Sequence, residues 1–272
     1  MAERCKECGK KLSIFSTSFL CKKCSKLLNE KYVEIKNDVS KNFDLKEEQA
    51  KFLKDKFEKD MLLDFYNEIY NVSLLSNKDL GRSELEFLIK IRDSFDLSDE
   101  DIGFNERIRP YVYVNTIKEK NELPGFKLKI FGFNIVLKKN ERFHFADAVI
   151  LNEVKTKNFE SSGDRSGVSF RIMNDVNYIA GTHKGNIMNE DRLIKTSKGV
   201  LAITNQRLLL NPVPGCRPLS ISLDKILSYQ AYQNGIEVYK EDRGKGFFFE
   251  IDNIGSVEIF GICLSFLLLG VS

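Results

Sequence analysis

The chain has 272 residues, 42 % hydrophobic and 30 % charged, enough apolar content for two folded units at roughly 100–200 residues each. Its 42 lysines and arginines stand against 39 aspartates and glutamates, a formal charge of +3, which argues against any general electrostatic affinity for nucleic acid. The two histidines, His144 and His183, adjoin no nucleophile motif, and neither Gly-x-x-x-x-Gly-Lys-Ser/Thr nor Gly-x-Gly-x-x-Gly occurs, so acyl transfer and nucleotide cradling are not expected.

The first element is a pair of Cys-x-x-Cys turns, Cys5/Cys8 and Cys21/Cys24, with twelve residues between them. Each turn aims two sulfurs at one point, and together they supply the four thiolates of a tetrahedral structural zinc. Such a closed site has no position left for a reactive water. With the four thiolates and one divalent ion counted, the net charge falls to about +1. Two disulfides or a redox Cys-x-x-Cys fit less well, because the start of the chain is polar and no βαβ pattern surrounds the motif. A cytoplasmic location is therefore expected.

Lys10–Leu20 is β-prone around a Ser/Thr turn, and the residues after Cys24 favour helix. Knuckle, hairpin and helix in that order are the layout of a treble-clef finger, with Gly9 relieving the first knuckle and the second cysteine pair capping the helix. Cys5-Lys-Glu-Cys8-Gly-Lys-Lys-Leu12 resembles the small zinc-finger modules at the start of many bacterial proteins.

From Ser25 to Asn71 one apolar stripe is predicted through Leu53, Phe57, Met61 and Phe65, with Leu62 and Ile69 beside it. Ser83-Glu-Leu-Glu86 reads as a capping box opening a helix, Ser98-Asp-Glu-Asp101 as a second helix start, and Pro110 as the end of the helical region. The stretch Leu80–Phe104 is similar to acidic helical hairpins of bacterial multidomain proteins. No EF-hand frame starts at Asp93 or Asp96, since neither places Gly at position six or Glu at twelve.

After Pro124 the period changes to strand alternation, as in Phe126-Lys-Leu-Lys-Ile-Phe, Ser169-Phe-Arg-Ile and Gly199-Val-Leu-Ala-Ile. Turn signals at Asn140-Glu141, Ser161–Asp164, Lys184-Gly-Asn, Lys198-Gly, Asn211-Pro, Asn234-Gly and Arg243-Gly-Lys-Gly divide this half into about seven or eight strands. The closing run Val257–Leu269 has no charge after Glu258; thirteen helical residues span about 20 Å, too short for a roughly 30 Å hydrocarbon core, so a buried helix is predicted. Cys216 and Cys263 stand alone and receive no function.

A strand meander closed by one helix, carrying the hairpin Gly199-Val-Leu-Ala-Ile-Thr-Asn-Gln-Arg-Leu-Leu-Leu210 and then a strand Ile221-Ser-Leu-Asp-Lys-Ile226, resembles the GRAM and bacterial PH-like domains over about Leu137–Leu269. The phrase Thr204-Asn-x-Arg207, the hairpin Gly235-Ile-Glu-Val238, the entry Leu137-Lys-Lys-Asn-Glu141 (Asn140 in place of the usual glycine) and Val176-Asn-Tyr-Ile-Ala-Gly181 carry the likeness. Thr204 and Asn205 satisfy turn groups locally and Asn tolerates left-handed dihedrals, so a structural role is expected for the motif.

The resemblance implies binding of phosphoinositides, other lipid headgroups or peptides. A lipid rim would draw on Lys184, Lys195, Lys198, Arg243 and Lys245, although Glu190, Asp191, Glu241 and Asp242 lie beside them. Asp147 followed by Glu153-Val-Lys155 resembles the metal site of restriction-type nucleases, a more distant reading.

The sequence thus predicts an α+β chain: a zinc finger over residues 1–30, a helical connector over 31–115, and a PH/GRAM-like barrel or sandwich with a closing helix over 125–272. The expected function is that of a non-enzymatic zinc-containing adaptor for a protein partner. A peripheral membrane protein reading anionic headgroups is the alternative.

Overall fold

The computed structural model describes residues 4–12, 19–77, 80–125, 135–154, 168–173, 176–180, 193–241 and 245–269. It is a mixed α+β chain that divides into two compact units, Met1–Ile102 and Gly103–Ser272. The division falls inside the expected connector.

In the first unit the cysteine turns lead into four helices, α1 (Lys22–Asn42), α2 (Glu47–Lys56), α3 (Lys59–Asn77) and α4 (Arg82–Ser94). The buried residues recur at helical spacing: Tyr32, Ile35 and Val39 in α1; Leu62, Phe65 and Ile69 in α3; Leu85, Leu88 and Ile91 in α4. Phe65 sits at the centre, its ring edge-on to Tyr32 at 5.9 Å and Phe95 at 5.6 Å.

The predicted stripe does not lie on one helix. Phe57 takes extended dihedrals (φ −123°, ψ 148°) and ends α2, which lets its ring pack on Tyr32 at 5.2 Å and leaves Met61 exposed. Helix α4 starts before Ser83, with Gly81 at its N-cap, and the Ser83 hydroxyl donates to Glu84 instead of capping. Ser98 and Asp101 do exchange capping bonds, Ser98 N–H to Asp101 Oδ2 at 2.8 Å and Asp101 N–H to Ser98 Oγ at 3.1 Å, but they close a turn and not a helix.

In the second unit a π-helical turn, Phe104–Ile108, runs into α5 (Arg109–Lys120). Pro110 opens this helix, contrary to the sequence expectation. Proline lacks the N–H that the first turn leaves unbonded anyway, and its fixed φ suits that position.

Among the described residues the strands are β1 (Phe143–Val154), β2 (Val168–Met173), β3 (Val176–Ala180), β4 (Leu193–Thr204), β5 (Arg207–Pro212), β6 (Leu219–Ser222), β7 (Ile226–Tyr232), β8 (Gly235–Lys240) and β9 (Phe247–Glu250). Seven form an antiparallel sheet ordered β6-β5-β4-β1-β9-β8-β7, and β2 and β3 pair separately as a hairpin. The expected strand at Phe126–Phe131 and the turns at Ser161–Asp164 and Lys184-Gly-Asn lie outside the described residues.

The edge strands β6 and β7 are consecutive in sequence, joined by a 3-10 turn at Leu223–Lys225. From Ser222 to Ile226 the chain reaches about 14 Å at most. In a flat sheet of seven strands the outer two would stand about 29 Å apart. The sheet therefore curls until its edges approach each other, and Ile221–Ile226, read as one strand, is instead the corner where they meet.

Two local readings also change. Lys198-Gly199 is not a turn but lies inside β4, where a Cβ on Gly199 would stand 2.2 Å from the Asn211 carbonyl oxygen. That glycine serves close strand approach. The β7–β8 hairpin forms where Asn234-Gly235 predicts it, with Gln233 and Asn234 as loop and Gly235 paired to Tyr232.

The closing helix α6 (Ile254–Leu269) is apolar on every side and buries Val257, Ile259, Phe260, Ile262, Cys263, Leu264 and Leu267. Phe260 meets Phe145 of β1 at 5.0 Å, and Tyr229 of β7 bonds to Ser265. No helix among the described residues is long and apolar enough to cross a membrane.

Candidate metal centre

The four amino-terminal cysteines converge. Cys5, Cys8, Cys21 and Cys24 place their Sγ atoms within 4.8 Å of one another, with Cys8 and Cys21 at 3.7 Å. Four thiolates at about 2.3 Å from a tetrahedral ion stand roughly 3.8 Å apart, so the cluster has the size and donor set to hold a metal ion.

The first pair is held by a tight turn. Cys5 N–H donates to Lys10 O at 2.8 Å, Gly9 N–H donates to Cys5 O at 2.9 Å, and Arg4 and Lys11 form an antiparallel bridge around them. Gly9 has φ +71°, where glycine carries no penalty. The second pair starts α1, with Cys21 at the N-cap and Cys24 in the first turn. That turn holds no carboxylate, so the sulfurs are the groups placed to meet the positive end of the helix dipole.

Electrostatics set Cys5, Cys21 and Cys24 apart. The Cys21 N–H, donating at 3.3 Å, is the largest influence on Cys5 and lowers its thiol to about 6. Cys21 is lowered as well, first by the Cys24 N–H, which lies beside its sulfur without closing a capping bond. Cys24 is pushed up to about 12 by the sulfurs of Cys8 and Cys21 next to it. Four negative sulfurs at this separation need a cation between them.

The five cations of the predicted lipid rim are not gathered in the same way. Lys184 and Arg243 lie outside the described residues. Lys245 is exposed just ahead of β9. Strict alternation would put Lys195 and Lys198 on opposite faces of β4, but the register shift between Leu151 and Asn152 pairs Lys195 with Asn152 and Lys198 with Ile150. Both exposed lysines thus occupy one face.

Asp147 and Glu153 are not brought together. They sit on one strand six residues apart, roughly 20 Å along it, and Asp147 accepts from Ser256 and from the Ala148 N–H. Lys155 lies outside the described residues. His144 is buried, its Nδ1 3.3 Å from Pro124 O, and burial lowers its pKa; His183 is outside the described residues.

Thr204 and Arg207 form a closed polar cluster with Glu141. Arg207 donates from Nε and Nη2 to the two Glu141 oxygens at 2.7 and 3.0 Å, and from Nη2 to Val136 O at 3.0 Å. The Thr204 hydroxyl donates to Glu141 at 2.8 Å and accepts the Gln206 and Arg207 N–H groups. Asn205 is not left-handed; its side chain accepts from Arg142 N–H and donates to Asn140 O, and Asn140 takes the positive φ of 62°. Burial opposes ionisation of Glu141, yet Arg207, the Lys138 N–H and Thr204 together hold its carboxyl at about 2.

One polar group escapes sequence reasoning. Glu237 in β8 is fully buried, accepts from the Tyr232 hydroxyl at 3.2 Å, and is raised by burial. Gly246 packs directly on it, for a Cβ there would meet Glu237 Oε1 at 2.3 Å. Gly235-Ile-Glu-Val238 reads as ordinary alternation, so nothing local marks the acid. No known protein-family model matches the chain, and no curated protein matches it either.

Proposed function

We propose that the chain is a non-enzymatic adaptor in which Cys5, Cys8, Cys21 and Cys24 hold one structural zinc ion in a treble-clef module, and the second unit is a PH/GRAM-like barrel that binds a protein partner. The convergence of four thiols within 4.8 Å of one another carries the zinc assignment. Zinc supplies charge neutralisation and a covalent tie between the two knuckles. Cys5 and Cys8 fix the Gly9 turn, and Cys21 and Cys24 fix the start of α1. The curled sheet, the short link between its edges and the closing helix support the barrel reading.

Elemental analysis of the purified protein tests the zinc assignment. One equivalent of zinc is expected, falling to none in Cys8→Ser and Cys21→Ser; full metal retention by both variants rejects the ligand set.

The face shared by Lys195 and Lys198 favours a second reading, attachment to anionic lipid headgroups. Flotation with neutral and phosphatidylserine vesicles at low and physiological salt separates the two. The adaptor stays with the soluble fraction in every condition and retains a protein partner in pull-down. Flotation that is specific to anionic vesicles and lost with salt supports the lipid reading.

A further inference from the structure

We propose that Cys8 is a redox modification site through which hydroperoxides open the centre and release its metal. This rests on the metal-binding reading above. The four sulfurs are unequally protected: Cys5 is 2 % exposed, Cys21 and Cys24 are half-buried, and Cys8 is exposed. Cys5 is also covered by the main chain, the Cys21 N–H lying 3.3 Å from its sulfur. A solvent-borne electrophile therefore meets Cys8 first.

The second partner is already in place, because Cys21 Sγ is 3.7 Å from Cys8 Sγ. The Cys8 thiolate attacks one peroxide oxygen; an S–O bond forms, the O–O bond breaks, and the other oxygen leaves as hydroxide or alkoxide and takes a proton. The Cys21 thiolate then attacks the sulfenic sulfur, an S–S bond forms, and the S–O bond breaks to give hydroxide, which is protonated to water. Two thiolates lose two electrons in all, and the peroxide gains them. Only Cys5 and Cys24 remain as thiolate donors, half the set that held the ion, and Cys21, the N-cap of α1, is pulled onto the first knuckle.

The test uses the full-length metal-loaded protein with its metal content measured beforehand. Hydrogen peroxide is added below stoichiometry, released metal is followed with a chromogenic chelator, and the disulfide is mapped by proteolysis and mass spectrometry. One metal released per peroxide consumed, a Cys8–Cys21 disulfide, an unmodified Cys216 and recovery of metal binding after dithiothreitol are expected. In a parallel sample, N-ethylmaleimide should label Cys8 at least about tenfold faster than Cys5. A Cys5–Cys8 or Cys21–Cys24 disulfide, labelling led by another thiol, or loaded protein that keeps its metal under peroxide would overturn the proposal alone. Protein that takes up no metal at the outset overturns the metal reading as well.

Discussion

At the residue scale the sharpest stability effects belong to the two buried carboxylates, whose environments push them in opposite directions. Glu141 is tied to Arg207 and Thr204 with its carboxyl near 2, so it contributes stability above the usual carboxylate range of about 4.3, lost as pH falls toward 2. Glu141→Gln strands the Arg207 charge and should cost roughly 3 kcal/mol at pH 7, read from urea midpoints at constant slope. Arg207→Ala should cost about as much, and the double variant less than the sum, since the two share one interaction. Additive losses would mean that the pair is not energetically coupled. Glu237 has the reverse sign. Its raised pKa means the folded chain holds a proton that the unfolded chain has released, so stability falls as pH rises from about 4.3 through the folded value. Glu237→Gln should flatten that dependence, gaining stability relative to the parent at pH 8 and little at pH 5. An unchanged slope between the two pH values would show that Glu237 is not buried as described.

At the element scale the question is which local signals survive packing. The cysteine cluster is legible because a Cys-x-x-Cys turn is fixed by residues inside it, and the four sulfurs need only two such turns to meet. The closing helix is legible from its unbroken apolar run. The break between α2 and α3 is not: no Gly or Pro stands near Phe57, and the chain turns there because the ring gains Tyr32 and Phe52 as neighbours. Pro110 and Lys198-Gly199 mislead for one shared reason. A residue type that ends elements in isolation also permits a helix start or a close backbone contact, and tertiary neighbours decide between these uses. Ile221–Ile226 fails differently, since a three-residue 3-10 corner leaves no period to detect. Gly255, near the start of α6, offers a test in which propensity and packing disagree. Alanine is better than glycine in a helix by about 1 kcal/mol, yet a Cβ there would lie 2.1 Å from the Asn105 carbonyl oxygen. Overpacking costs about 1–3 kcal/mol, so Gly255→Ala should lower the melting temperature. A rise would mean that the π-helical turn at Phe104–Ile108 yields freely to the added methyl group.

At the scale of the whole molecule the two units should depend on the metal unequally. Structural zinc contributes about 10–16 kcal/mol to small cysteine modules, comparable with the entire 5–15 kcal/mol stability of a domain. In the first unit both ends of that contribution are anchored: one cysteine pair sits in the Gly9 turn and the other starts α1, whose Tyr32, Ile35 and Val39 are part of the helical core. The sheet of the second unit takes its core from Phe145, Phe248, Phe249 and Phe260, with no metal ligand among them. A strong chelator should therefore remove amide-exchange protection from Lys22–Asn42 first and from the rest of the helical unit to a smaller extent. Protection in β1, β4 and α6 should stay within error of the loaded protein. Calorimetry of the same samples should show one transition moving to lower temperature while the other stays. Were both transitions to shift together, the two units would fold as one cooperative body, and a metal at the four cysteines would stabilise the sheet as well as the helices.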